Sequence, residues 1–373
     1  MHLTFRGVND AFQKLVERIH SGTILTSRCE SRNGPVLQVT EPVLITYQCP
    51  KERVLCNPAR NANPFFHLYE ALWMLAGRND VASVTYYNKR MNEYSDDGKT
   101  LNGAYGYRWR HSQVPDHQNW ENGDGVDQLD VIVNHLKDTP TSRRAVLQMW
   151  EVESDLLKIG PGEETSRDTC CNLSVLFSLR RDGICNRNHK AADCPCPTIG
   201  HDDSNLDMTV TNRSNDMIWG MLGANFVHFS MLQEYMAARL GVEVGVYHHF
   251  TNNLHCYENN WKPEEWLKAG TSRYGTWRGV ALVHDSKVFE EELPWIVEKN
   301  GPKPSSTLET AEWQEPFFSR VAQPMFNTFH AYKQSDSWNV EYHLSRIEAD
   351  DWRQAATSWL RRRAEKRKER EYV

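Results

Sequence analysis

The sequence, 373 residues long, predicts an α+β fold. Three observations carry the prediction. Three segments in the middle of the chain alternate apolar and polar residues, long helical segments stand around them, and the two kinds do not alternate as strict βαβ units would. With 39% hydrophobic and 25% charged residues, the chain can fill one large core or two smaller ones.

The elements follow in order. MHLTFRGVNDAFQKL lacks the charged-then-apolar order of a signal peptide, and no apolar stretch reaches membrane-spanning length, so a cytoplasmic protein is expected. FFHLYEALWMLAG, Phe65 to Gly77, is apolar nearly all round and ends at a glycine, which reads as a buried helix. Glu70 lies in its middle, where a carboxylate is costly unless it has partners. NGAYGYRWR, Asn102 to Arg110, reads as a glycine-punctuated loop crowded with aromatics and arginines. TSRRAVLQMWEV, RDTCCNLSVLFSLRR and LDMTVTNRSND read as strands of one sheet. NFVHFSMLQEYMAARLG, Asn225 to Gly241, has helical spacing with a terminal glycine, and a strand-like VGVYHHF follows it. Beyond about residue 275 the signals weaken to a loop, Asn300 to Ser306, and a polar, basic closing helix, Ala349 to Arg370. The expected organisation is a catalytic domain over 1–275 with an insertion at 183–204, then a C-terminal extension over 276–373.

Charge and cysteine usage narrow the function classes. A net charge of -6 argues against bulk nucleic-acid binding, although RRRAEKRKEREYV at the end is locally basic. Nine cysteines, odd in number and irregularly spaced, read as thiols, metal ligands or catalysts rather than a disulfide framework. The doublet Cys170–Cys171 heads a strand, and a thiolate nucleophile there needs a positive neighbour and an electrophilic carbon. Arg213, at the end of LDMTVTNRS, is placed to supply the charge.

The motif order EALW, YGYRWR, SRRAV, DTCCN, RSNDMIWG, GANFVHFSMLQEYMAARLG and HCY, running from Glu70 to Tyr257, resembles the thymidylate synthase superfamily, a resemblance that covers roughly the first three quarters of the chain. The resemblance implies a mixed sheet with long helices, two sheets packed face to face in a homodimer, and folate-dependent one-carbon transfer to C5 of a pyrimidine nucleotide. Cys171 matches the nucleophile; Cys170 replaces a proline and reads as packing. Glu70 would organise water and move protons, Tyr105 would assist removal of the C5 proton, and Asp216 would contact the folate ring. Arg213 and Ser214 would hold the phosphate with Arg32, joined by Arg143 and Arg144 crossing from the second subunit. His255 and Tyr257 would bind the sugar hydroxyl. His228 matches no family role and reads as a satisfied core histidine.

The family's base-reading asparagine maps to Asn225 if the turn GMLGAN carries one extra residue, and to Ala224 otherwise. An amide suits uracil, where an aspartate would suit cytosine. Four departures bear on the last step: Met91 stands for the tryptophan over the folate, Asn172 for the histidine after the nucleophile and Leu176 for a glutamine, and the chain ends in KEREYV. Weakened closure favours water over hydride, so the leading expectation is 5-hydroxymethylation of dUMP with 5,10-methylenetetrahydrofolate. Thymidylate synthesis, a dCMP or CMP hydroxymethylase, and a catalytically silent nucleotide- or RNA-binding protein are the alternatives. In the insertion, Cys185, His189, Cys194 and Cys196 have the chemistry of a structural zinc site.

Overall fold

The computed structural model describes residues 1–112, 125–157, 166–180, 204–272, 279–302 and 312–371, together with two short strands at 184–185 and 189–190. Its strands are β1 His2–Phe5, β2 Thr26–Cys29, β3 Val36–Val39, β4 Val43–Tyr47, β5 Val146–Gln148, β6 Asn172–Arg180, β7 Ile184–Cys185, β8 His189–Lys190, β9 Asn205–Asn212, β10 Asn215–Asp216, β11 Glu243–Thr251 and β12 Leu254–Tyr257. The α-helices are α1 Val8–His20, α2 Pro64–Leu75, α3 Val81–Tyr87, α4 Tyr105–Arg110, α5 Gln128–Asp138, α6 Val152–Asp155, α7 Asn225–Leu240, α8 Pro263–Ala269, α9 Ser286–Lys299, α10 Gln323–Lys333, α11 Ser337–Ser345 and α12 Asp350–Glu371.

Six strands form a mixed sheet in the order β1-β4-β11-β9-β6-β5. The three segments that alternate in sequence are neighbours in it: β5 and β9 both pair antiparallel with β6. Of TSRRAVLQMWEV only Val146–Gln148 enters the ladder. A second sheet, β10-β12-β3-β2, lies at the end of β9.

Alternation along β9 is complete: Leu206, Met208, Val210 and Asn212 are buried, and the residues between them are half-exposed. The buried face packs under α7, whose Gln233 amide donates to the carbonyls of Leu206 and Val246. Next to α7 lies α2, in which all twelve residues are buried. Asn63 caps it by accepting from the Phe66 N–H, and Gly77, at φ 70°, reverses the chain after it.

One sequence expectation changes here. The segment expected as a loop, Asn102 to Arg110, becomes helical from Tyr105. Gly106 lets that turn lie directly on α2, since a Cβ there would come within 2.0 Å of the Met74 carbonyl oxygen. Periodicity cannot reveal such a contact, because it is made by a missing side chain.

The C-terminal helices are not a separate body. Residues from α9, α10 and α12 share one continuous core with α2 and the sheet. Tyr87 stacks on Phe329 at 4.7 Å and Phe65 meets both Phe329 and Trp359. The Tyr69 and Tyr87 hydroxyls donate to the carbonyls of Val297 and Asn300.

Candidate active site

Cys171 precedes the first residue of β6, and Arg213 follows the last residue of β9 on the neighbouring strand. The Arg213 N–H donates to the Cys171 carbonyl at 3.0 Å. Its guanidinium donates to the carbonyls of Cys170 and Thr169 and reaches to 3.7 Å from the Cys171 Sγ. Trp150 lies under the same guanidinium, 5.6 Å away. Burial pushes the Cys171 thiol up, while Arg213 and Arg32 pull it down and Asp168 pushes it up. Cys170 is fully buried, with its Sγ on the Asn172 carbonyl, and burial raises it much further. The doublet thus divides as its flanks suggest: Cys171 faces the charge, Cys170 the core.

A buried ion pair holds the strand head in place. Arg108, from YGYRWR, donates to both oxygens of Asp155 at 2.5 and 3.1 Å, and Asp155 in turn accepts from the Cys170 N–H. Asp168 closes the other side, its Oδ2 accepting from the Gly103 N–H at 2.8 Å. Burial pushes that carboxyl up to about 6, against the Gly103 N–H and Arg108. Sequence reasoning quoted Asp168 in DTCCN but gave it no role; its signal is an acid two residues before the segment's buried cysteine.

Tyr105 stacks on Phe229 of α7 at 5.8 Å, and burial first, then the two cysteines, raise its hydroxyl well above the ordinary range. Glu70 is buried on α2, and the Nε2 of His228 on α7 lies 2.9 Å from its Oε2. Neither ring nitrogen of His228 has a hydrogen-bond partner among the described residues. His228 is thus a buried core residue, as expected, with its Nε2 set against the one carboxylate of α2.

Asp216 starts the turn after β10 by accepting from the Ile218 N–H, and burial raises its carboxyl. It pairs in register with His255 on β12. His255 is held low by burial, and its Nδ1 lies 3.5 Å from the Ser214 Oγ. Tyr257 is on the same strand, its hydroxyl 3.5 Å from the Asn33 amide. Arg32 reaches the cysteine loop from the β2–β3 turn, donating to the carbonyls of Ser166 and Arg167.

The segment Met217–Ala224 is a wide π-helical turn, with Gly223 out of helical geometry at φ -128° and ψ -116°. A π turn takes up one extra residue, and Asn225 comes out of it as the first residue of α7. Its amide donates to the Asn215 Oδ1 at 3.2 Å, whereas Ala224 is buried.

Other expected residues stand apart from this cluster. Arg143 and Arg144 are exposed in the turn before β5, with no described contact to Cys171. Leu176 pairs with Val146 on the outer face of the sheet. Asn172 is buried, its amide donating to Asn212. Met91 is half-buried in the 3-10 turn Lys89–Tyr94. Cys194 and Cys196 lie outside the described residues, and of Cys185 and His189 only the backbone is described, as partners in the β7–β8 ladder. Among the described residues no cluster of His, Cys, Asp and Glu could hold a metal ion, so the expected zinc gains no support. No described helix is long and apolar enough to cross a membrane.

Comparison with known proteins agrees with this geometry. The thymidylate synthase family model matches residues 11–269. A deoxyuridylate hydroxymethyltransferase of Pseudomonas phage M6 is 38% identical over 94% of this chain and 92% of its own length. A protein of the same description from Bacillus phage SP01 is 35% identical over 78% of this chain and 66% of its own. A thymidylate synthase of Vesicomyosocius okutanii is 26% identical over 53% of this chain and 61% of its own.

Proposed function

The chain belongs to the thymidylate synthase family, and from that premise we propose that it hydroxymethylates dUMP at C5 with 5,10-methylenetetrahydrofolate as one-carbon donor. The observation that carries the reading is Cys171 set beside Arg213 at the strand head, in a chain that aligns along nearly all its length with a deoxyuridylate hydroxymethyltransferase. Uracil C5 is a poor nucleophile. Addition of the Cys171 thiolate at C6 turns it into an enamine carbon, and expulsion of the same thiolate ends the cycle.

Arg213, Ser214 and Arg32 hold the phosphate, where guanidinium geometry matches its oxygens. His255 and Tyr257 take the sugar hydroxyl, and Asn225 reads the base. Tyr105 assists removal of the C5 proton. Glu70, with His228 beside it, orders the water that adds to the exocyclic methylene. The folate supplies that carbon at the oxidation level of formaldehyde. Asp216 suits the donor edge of its ring, and Trp219, 40% exposed three residues on, offers a flat apolar surface.

A homodimer completes the site in this reading. The outer face of the large sheet is uncovered in the single chain, with Val146 41% and Leu176 39% exposed. Arg143 and Arg144 stand at that edge without an ion-pair partner among the described residues, free to meet a phosphate in a second copy. Size-exclusion chromatography with light scattering checks this, with a dimer expected and a monomer contradicting it.

The deciding experiment is the mass of the nucleotide after incubation with dUMP and methylenetetrahydrofolate. A gain of one hydroxymethyl group with tetrahydrofolate released is expected, and Cys171→Ala abolishes it, by about four orders of magnitude or more. A methyl group with dihydrofolate absorbance would instead make the chain a thymidylate synthase.

A further inference from the structure

The Asn225 amide is the outer end of a buried chain of polar groups. Its Nδ2 donates to the Asn215 Oδ1 at 3.2 Å, and the Asn215 Nδ2 lies 3.2 Å from the His249 Nε2. On its other side the His249 Nδ1 lies 2.9 Å from the Tyr247 hydroxyl. Asn215, His249 and Tyr247 are buried, while Asn225 is half-exposed.

With the Asn215 amide placed nitrogen toward His249 and oxygen toward Asn225, the direction of the remaining bonds follows from the inventory of donors. An amide nitrogen can only donate, so His249 accepts at Nε2. Burial holds its ring down to about 3, hence neutral, with one acceptor and one donor nitrogen. The donor is then Nδ1–H, which gives to the Tyr247 oxygen. Followed outward, this polarity leaves Asn225 showing its second N–H and its Oδ1 to the cleft. Gly220 keeps the chain closed: a Cβ there would stand 2.3 Å from the Asn215 Oδ1 and 3.0 Å from the Asn225 Nδ2.

We propose that Tyr247, His249 and Asn215 fix which way the Asn225 amide faces, and that this polarity makes the site choose a uracil edge over a cytosine edge. The proposal rests on Asn225 reading the base. Uracil offers a donor at N3 and an acceptor at O4; cytosine offers the reverse pair. An amide turned over would present the cytosine match, and unless Asn215, the His249 proton and the Tyr247 hydroxyl all reverse with it, the turn leaves two buried groups unpaired. His249 is a positioning residue here, three groups from the substrate.

The test measures kcat/KM by product mass, and the binding constant without folate, for dUMP and dCMP in the full chain. His249→Phe removes the acceptor, and the preference for dUMP is expected to fall at least tenfold. Adding Asn215→Asp to that variant is expected to restore it, because a carboxylate only accepts and forces Asn225 to donate. Rescue of this kind would not follow from a packing role. Should His249→Phe fail to fold, Tyr247→Phe deletes the single oxygen that holds the ring proton on Nδ1 and so frees the relay to reverse, again lowering the preference. Asn225→Asp separates the two levels. If it shifts preference toward dCMP while the His249 and Tyr247 variants change nothing, the relay is overturned and the base-reading role stands; if it too changes nothing, both fall.

Discussion

The two faces of α2 are built on opposite rules. On one, Phe65 and Tyr69 meet Phe329, Trp359, Tyr87 and Phe326 in an aromatic seam. The hydroxyls of Tyr69, Tyr86 and Tyr87 there all find partners in Val297, His330 and Asn300. On the other face, Glu70 lies against a histidine whose two nitrogens are buried and without hydrogen bonds among the described residues. His67, one turn from Glu70, is held down to about 3 by burial, then by Arg60 and His228. A buried polar group left unpaired costs about 1–3 kcal/mol; the seam leaves the Trp359 Nε1 in that state, but the Glu70 face is the one that sets a histidine against a carboxylate. The contrast separates what holds the helix from what the helix holds.

Substitutions on the two faces should fail in different ways. Phe329→Ala opens the seam and is expected to cost about 3–5 kcal/mol of stability, read by denaturant unfolding. Product formed per folded molecule stays unchanged; a comparable loss of turnover would mean the seam reaches the chemistry. His228→Gln is the converse, with kcat for hydroxymethyl formation falling about 10²-fold and the melting temperature held. If instead stability collapses and kcat survives, His228 belongs with the core.

A finer distinction concerns charge within the site. Asp168 ionises as pH rises through about 6, and its anion then opposes ionisation of the Cys171 thiol. Asp168→Asn removes that opposition, so the pH at which Cys171 becomes alkylated by iodoacetamide moves down; an upward move or none would contradict the coupling. The smallest effect is expected at the far end of the seam. Ending the chain after Leu360 removes Arg363 from over Trp359 and Arg367 from over Tyr332. That costs about 1 kcal/mol in melting and leaves the oligomeric state alone; loss of dimerisation would overturn the assignment of this tail to the periphery.

The site face of α2 was the legible one. Thiol, acid and guanidinium chemistry needs particular residue types, and EALW, DTCCN and RSND keep them in an order that spacing exposes. The seam was not legible, because Phe65, Tyr87, Phe329 and Trp359 are scattered over the length of the chain and carry no shared period. Nor were the devices made by absence, Gly106 against Met74 and Gly220 against Asn215, whereas the extra residue that the π turn takes up before Asn225 was already visible in GMLGAN. Asp168 and His228 stood in quoted segments, yet their meaning depends on burial and on a neighbour far away in sequence, Gly103 for one and Glu70 for the other.

The seam also orders events in time. Helices α10 and α12, which cover Phe65 and Tyr69, leave the ribosome last among the described elements, long after every motif of the site has been made. Until they dock, α2 has one apolar flank open to water, so the helix that carries Glu70 is fully packed only by the last described part of the chain to be made.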